Sequence, residues 1–346
     1  MSNLEKPPTL TDVARLAGVS VPTASRALNG GVRGAQSGSS ELRKRVQDAA
    51  RALGYAVNQA AQATKDGRAR TVALLVSDID DFGSATMISG VMHAAEQRGA
   101  SLAVRATLDD PLRELELLSQ LRGERHRAVV IATGRTTDAR REAALAERLQ
   151  TLKEHGTRVV IIGDSDLPFP SVTVDNRRAA RILADGLARV GHRRFAILSA
   201  PPVDITARDR VDGFLEGLTD NGIEVDCADI VHRPFSRDGG YSGVQALADR
   251  LDGFDVIAAM SDAMAVGAIA ALRELGFAYP NGIEVSGFDH VPMLGDVLPS
   301  FSTVEIPFAA FGEAALALAL DGEESDATAS VALHAVPIVN SVPLGT

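Results

Sequence analysis

Six short apolar runs, at 72–76, 128–132, 159–162, 195–198, 256–260 and 285–288, alternate with longer stretches whose apolar positions recur at helical spacing. The helical stretches include 86–98, 112–122, 139–154, 177–190, 208–221 and 263–275. Short strands followed by helices of ten or more residues leave one economical arrangement, parallel sheets covered by helices on both faces. The strands are too continuously apolar to be surface ribbons. Roughly 275 residues of such alternation accommodate two α/β units. Two such units place a ligand crevice outside the carboxyl ends of their strands.

The rest of the composition narrows the class. Of 346 residues, 45% are hydrophobic and 23% charged, close to the globular average, which excludes wholesale disorder. The single cysteine, Cys227, excludes an internally disulfide-stapled scaffold. No apolar run approaches the ~20 residues that span a bilayer, and the N-terminus lacks the pattern of a cleaved export signal. A soluble cytoplasmic protein without membrane contact is the expectation. Net charge is −10, but it is unevenly spread. Residues 1–70 hold 11 Lys+Arg against five acids, whereas residues 71–346 hold 24 against 40. A small basic head on an acidic body is the pattern of a nucleic-acid reader joined to a second function.

The head has its own signals. Thr9 and Asp12 have capping-box spacing, Leu10, Val13, Ala14 and Ala17 follow at helical spacing, and Gly18 stops the helix. Ser20 caps a second helix running roughly from Val21 to Leu28, with Pro22 harmless in its first turn. Two such helices joined by a glycine turn form a helix-turn-helix, whose second helix enters the major groove. Thr23 and Ser25 then offer hydroxyls to phosphates, Arg26 offers paired donors to a guanine edge, and Val21 and Pro22 offer apolar contacts. A third helix is expected from about Ser40 to Leu53, capped by Ser39 or Ser40 and stopped by Gly54. One short recognition helix reads few base pairs, so a homodimer on two half-sites of double-stranded operator DNA is expected.

The residues TLTDVARLAGVSVPTASRALNG, Thr9 to Gly30, resemble the DNA-binding start of the lac-repressor/galactose-repressor (LacI/GalR) family, and the likeness extends over essentially the whole chain. That resemblance implies an all-α helix-turn-helix head on an α/β two-lobed, periplasmic-binding-protein-like body with parallel sheets. It implies a transcriptional regulator, usually a repressor, controlled by a small effector between the lobes. The implied domains are 1–57 for the head, 58–70 for a hinge helix and linker, and 71–346 for effector binding and dimerisation. The N-lobe is expected at about 71–190 and 304–330, and the C-lobe at about 191–303 and 331–346. The chain then crosses between lobes near Gly191, Thr303 and Val331.

By the same resemblance, Thr11, Ser20, Asn29, Tyr55, Asn58, Ala61 and Thr64 join the DNA-contacting set. Two departures are visible. The connection from Asn29 to Ser40 is about four residues longer than is usual, and Thr64 stands where a leucine generally wedges between base pairs, which weakens the expectation of a strong kink. In the body the resemblance implies an effector set of Phe82, Ser84, Thr133, Asp175, Arg208, Ser261 and Asp289. Carboxylates accept from sugar hydroxyls, and a guanidinium fork donates several bonds at low entropic cost. Phe82 is either a platform for a sugar ring or part of the core, and Asp262 either a ligand contact or a helix cap. A saccharide or polyol is the first expectation for the effector and a purine or nucleoside the second, with activation as the alternative sign of control. No nucleophile elbow, phosphate loop or zinc motif occurs, so neither cofactor nor metal is implied. A sugar-modifying enzyme using strand-end carboxylates is the remote alternative.

Overall fold

The reciprocal cap at Thr9 and Asp12 opens the first helix of the computed structural model, α1 (Leu10–Ala17). Asp12 N donates to Thr9 Oγ1 at 3.4 Å and Thr9 N donates to Asp12 Oδ2 at 3.0 Å. Described are residues 8–28, 39–55, 71–277, 282–298, 300–321, 329–340 and 342–344. The expectations for Asn29 and its following loop, for Asn58, Ala61 and Thr64, and for the hinge helix lie outside these residues. The chain divides into two units, Met1–Ala69 and Arg70–Thr346.

In the first unit α1 ends on Gly18, whose φ of 65° is a left-handed conformation favouring glycine. Helix α2 (Val21–Leu28) follows, with Ser20 Oγ accepting from Thr23 N at 3.3 Å. Helix α3 (Ser40–Leu53) is capped by Ser39, whose hydroxyl accepts from Leu42 N, and closes on Gly54. Val13, Ala14, Ala17, Ala24, Ala27, Val46, Ala49 and Ala50 form the core. Mostly alanines, they let three short helices approach closely with few large side chains.

In the second unit, six strands form one parallel sheet. They are β1 (Thr71–Val76), β2 (Ser101–Ala106), β3 (Ala128–Ala132), β4 (Arg158–Ile162), β5 (Ser171–Val174) and β11 (Ser330–Leu333). Their order is β11-β5-β4-β3-β1-β2. Helices α5 (Pro111–Glu124) and α6 (Ala139–Glu154) cover one face with Leu117, Leu118, Leu121, Leu145, Leu149 and Leu152. Helices α4 (Phe82–Gln97) and α12 (Phe308–Leu320) cover the other. A second parallel sheet has the order β7-β6-β8-β9, from β6 (Phe195–Ser199), β7 (Ile230–His232), β8 (Val256–Ala259) and β9 (Glu284–Ser286). Its helices include α8 (Ile205–Thr219), α9 (Arg237–Gln245) and α10 (Asp262–Glu274). Strands β10 (Thr303–Glu305), β12 (Val336–Val339) and β13 (Val342–Pro343) form an antiparallel ribbon tied to the second sheet through the Ser286–Ser302 bridge.

The first crossing differs from the expected position near Gly191. Helix α7 (Asn176–Val190) packs against α8, β10 and β12, so it belongs to the second lobe. The helices touch backbone to backbone: a Cβ on Gly213 would stand 2.0 Å from Arg177 O, and one on Gly217 2.3 Å from Arg181 O. Only glycine fits there. The chain therefore crosses at Asp175, one helix earlier, because an apolar stripe on a helix does not reveal which sheet it covers. The other crossings fall at 306–307, between β10 and α12, and at 334–335, between β11 and β12.

Candidate functional site

In the head, Ala24 and Ala27 turn α2 towards the core, which leaves its other face outward. Val21, Pro22 and Arg26 are exposed there, Thr23 and Ser25 half-buried, and Ser20 and Thr11 exposed beside them. Ser20 Oγ and Thr23 Oγ1 are 2.8 Å apart, and Arg26 Nε donates to Pro22 O at 3.3 Å, which holds the guanidinium along the helix. Tyr55 is half-buried against the head core.

In the body, parallel strands deliver their loops to one end of each sheet. There Arg210, in the second turn of α8, is almost fully buried. Its Nε donates to Asn176 Oδ1 at 3.0 Å, one terminal nitrogen donates to Met260 O at 2.7 Å, and the other lies 3.0 Å from Asp289 Oδ1. The guanidinium lies over the ring of Phe288, 3.9 Å from its centroid, with Phe235 at 5.9 Å. Asp262 is buried just behind, accepting from Val291 N at 2.7 Å and from Thr303 Oγ1 at 2.9 Å. This fixes the 288–291 loop across the strand ends, where Asp289 has a φ of 121° and His290 one of 55°. The two lobes meet directly beside this cluster. Ile205 N donates to Arg135 O at 3.0 Å and Thr137 N donates to Val203 O at 2.9 Å.

The expected effector residues separate into two groups. Asp289 stands in the cluster, and Ser261 adjoins it as the cap of α10, accepting from Met264 N at 3.2 Å. Asp262 is accordingly not that cap. Arg208 is not the guanidinium that meets Asp289: it is half-exposed and paired with Asp209 at 2.9 Å. The signal that separates the two arginines is helical spacing, because Arg210 lies four residues before the fully buried Phe214 and so shares its inward face. Asp175 is exposed and caps α7, so the neighbouring Asn176 is the residue that reaches Arg210. Thr133 is engaged elsewhere, between Glu114 and Arg135 in a buried ionic cluster. Phe82 is half-buried and opens α4, and Ser84 is buried, its amide donating to Asp81. Arg210, Asn176, Asp164, Asp204 and Phe235 are absent from the sequence-based set.

The carboxylates here are unusually weak acids. Burial pushes Asp289 up to about 7 against the pull of Arg210, with Asp262 and Asp81 adding repulsion. Burial, then Asp209 and Asp175, push Asp164 up to about 6. Burial also raises Asp204 and Asp262. An acid with a raised folded pKa takes its proton first in the folded state, so stability grows as pH falls through that value. The melting temperature is therefore expected to rise from pH 8 to pH 6. Asp289→Asn should reduce that slope, leaving the parts due to the other raised carboxyls and to His192, itself raised by its bond to Glu284. A calorimetric pH series checks this, and an unchanged slope would contradict the account of Asp289.

A reader of nucleic acid joined to a two-lobed α/β receptor defines a class of ligand-controlled DNA-binding regulators. The profile described as "Periplasmic binding proteins and sugar binding domain of LacI family" matches residues 69–312, and that of "Bacterial regulatory proteins, lacI family" matches residues 9–58. Catabolite control protein A of Priestia megaterium is 28% identical over 313 residues, covering 90% of this chain and 91% of that protein. The transcriptional regulator GalR of Escherichia coli K12 is 29% identical over 314 residues, covering 90% and 88%. Among solved structures, a CelR–cellobiose complex matches with a TM-score of 0.68 at 26% identity, covering 97% of this chain and 99% of that one. A lac repressor dimer bound to operator shares the fold, with a TM-score of 0.79 at 21% identity, covering 98% of this chain and 100% of that one. The chain belongs to the LacI family. It is a transcriptional regulator rather than an enzyme. Among the described residues no helix is long and apolar enough to cross a membrane, and no group of side chains is arranged to hold a metal ion.

Proposed function

We propose that this regulator is a cytoplasmic homodimeric repressor that grips a two-half-site operator through α2 and responds to a saccharide or polyol between its lobes. The observation that carries the sensing role is the Arg210–Asp289 pair seated on Phe288 where the two lobes meet. Guanidinium and carboxylate offer donors and acceptors suited to hydroxyls, and an aromatic face below suits an apolar ring edge. Val21, Pro22 and Arg26 meet base edges in the major groove, Thr23 and Ser25 offer hydroxyls to phosphates, and Thr11, Ser20 and Tyr55 complete the DNA-contacting set. Sugar binding favours one lobe arrangement, and the coupling of lobes to head changes operator affinity by roughly 5–150-fold.

Fluorescence anisotropy on promoter fragments tests the reading role. Arg26→Ala is expected to lose ~1–3 kcal/mol of operator affinity and to relax the preference at one base position. Unchanged affinity and preference would remove Arg26 from base reading. Salt-insensitive, sequence-indifferent binding by the intact protein would overturn the proposal.

A further inference from the structure

Helix N-termini are the ordinary phosphate-binding positions of α/β proteins, since their free amides and dipole favour negative charge. In this body α4, α5, α6, α7 and α8 each begin after the carboxyl end of a parallel strand, so their N-termini gather on the crevice side of the sheets. All five are filled by the chain's own aspartates. Asp81 accepts from Ser84 N at 2.8 Å, Asp110 from Leu112 N at 2.8 Å, Asp138 from Arg140 N at 2.9 Å, Asp175 from Arg178 N at 2.9 Å and Asp204 from Ala207 N at 2.8 Å.

The cations that the central strands bring to the same end are matched as well. Arg210 pairs with Asp289 at 3.0 Å, Arg208 with Asp209 at 2.9 Å, and Arg135 with Glu114 at 2.7 Å. The carboxylates there crowd one another. Asp81 and Asp262 repel the Asp289 carboxylate, Asp175 and Asp209 repel that of Asp164, and Asp109 repels that of Asp204. A phosphate entering this space meets five helix ends filled by aspartates, the ends of α9 and α10 filled by the Ser236 and Ser261 hydroxyls, the three guanidiniums already paired and further carboxylates. A buried anion without an uncompensated cation is strongly disfavoured. Hydroxyl and ammonium groups, by contrast, find acceptors in abundance.

We infer that the crevice selects its ligand by charge, accepting an unphosphorylated sugar that is neutral or bears an ammonium group and rejecting phosphorylated and carboxylated sugars. This rests on the saccharide reading proposed above and sharpens it.

The test is a set of thermal shifts followed by calorimetry on the full chain at pH 7.5. The probes are matched series: glucose, glucosamine, glucose 6-phosphate and glucuronate, the corresponding galactose derivatives, and cellobiose with its phosphorylated form. The expected result is binding by a neutral or amino member of at least one series, with its phosphorylated or carboxylated counterpart at least tenfold weaker. Asp81→Asn keeps an amide-capping side chain but removes one negative charge, and it should narrow that gap several-fold. Equal or tighter binding of an anionic member overturns the charge rule while leaving a saccharide sensor intact. No binding by any member of any series overturns the saccharide reading, and the charge rule falls with it.

Discussion

Arg135→Ala is expected to destabilise the first lobe by about 3–5 kcal/mol, the usual consequence of leaving one member of a buried ion pair behind. Arg135 and Glu114 are each only 2% exposed, and their charged atoms are 2.7 Å apart. Arg135 also reaches Glu142 at 3.3 Å and donates to Thr133 Oγ1 at 2.6 Å. Removing it leaves Glu114 with Arg141, at 3.5 Å, and the Thr133 hydroxyl. The destabilisation should extend to the lobe contact, because the Arg135 carbonyl accepts from Ile205 N of the opposite lobe. Urea unfolding followed by far-UV circular dichroism is the suitable measurement, since the chain has no tryptophan. A double replacement, Arg135→Met with Glu114→Leu, should recover much of the loss, because it removes both fully buried charges and leaves only the more exposed Glu142 and Arg141 without their former partners. A single variant that unfolds at the wild-type midpoint would show that the cluster contributes nothing.

Arg210→Ala is expected to abolish the effector response while operator binding persists. It removes the fork joining Asn176, Met260 O and Asp289, and leaves those acceptors buried without their donor. The stability loss should be about 3 kcal/mol at pH 8, from unsatisfied acceptors and an unpaired carboxylate. It should shrink at pH 6, where Asp289 holds its proton and no longer needs a counter-charge. Arg208→Ala is the informative contrast, because its pair with Asp209 is half-exposed and worth less than ~1 kcal/mol. Calorimetric titration with a sugar identified by the thermal-shift series separates the two. If Arg208→Ala removes the response and Arg210→Ala preserves it, the assignment made from the geometry is wrong.

Much of the architecture was legible because it rests on local physics. Parallel strands buried on both faces must be continuously apolar, so β1, β3, β4, β6 and β8 announced themselves, and caps and terminal glycines marked the head helices within a residue. The weaker signals belong to edges. Strands β2 and β11 end the six-stranded sheet and β7 ends the second, with one side unpaired and side chains half-exposed, so their sequences read as mixed. Helix α12, FAAFGEAALALAL, is apolar around most of its circumference and offers no stripe to orient it. The site was half legible for a related reason. Asp289 and Ser261 lie at ends of recognisable strands, but choosing between Arg208 and Arg210 required knowing which face of α8 turns inward. The Thr133 position was misleading because a threonine beside a crevice gives no sign that Glu114 and Arg135, 19 and two residues away, have already claimed its hydroxyl.

The placement of the crossings bears on how this chain is made. One edge of the first sheet is supplied by 330–333 and one of its covering helices by 308–320, although the strand at the other end of the order is 101–106. A nascent polypeptide emerging from the ribosome therefore exposes the part of that sheet's face formed by β3, β4 and β5 until 308–320 arrives, and closes it only by very distant contacts, which form slowly. Termination between the first strands of that sheet and 308 should yield an aggregating fragment rather than a working half, and the demand on chaperones should fall late in synthesis.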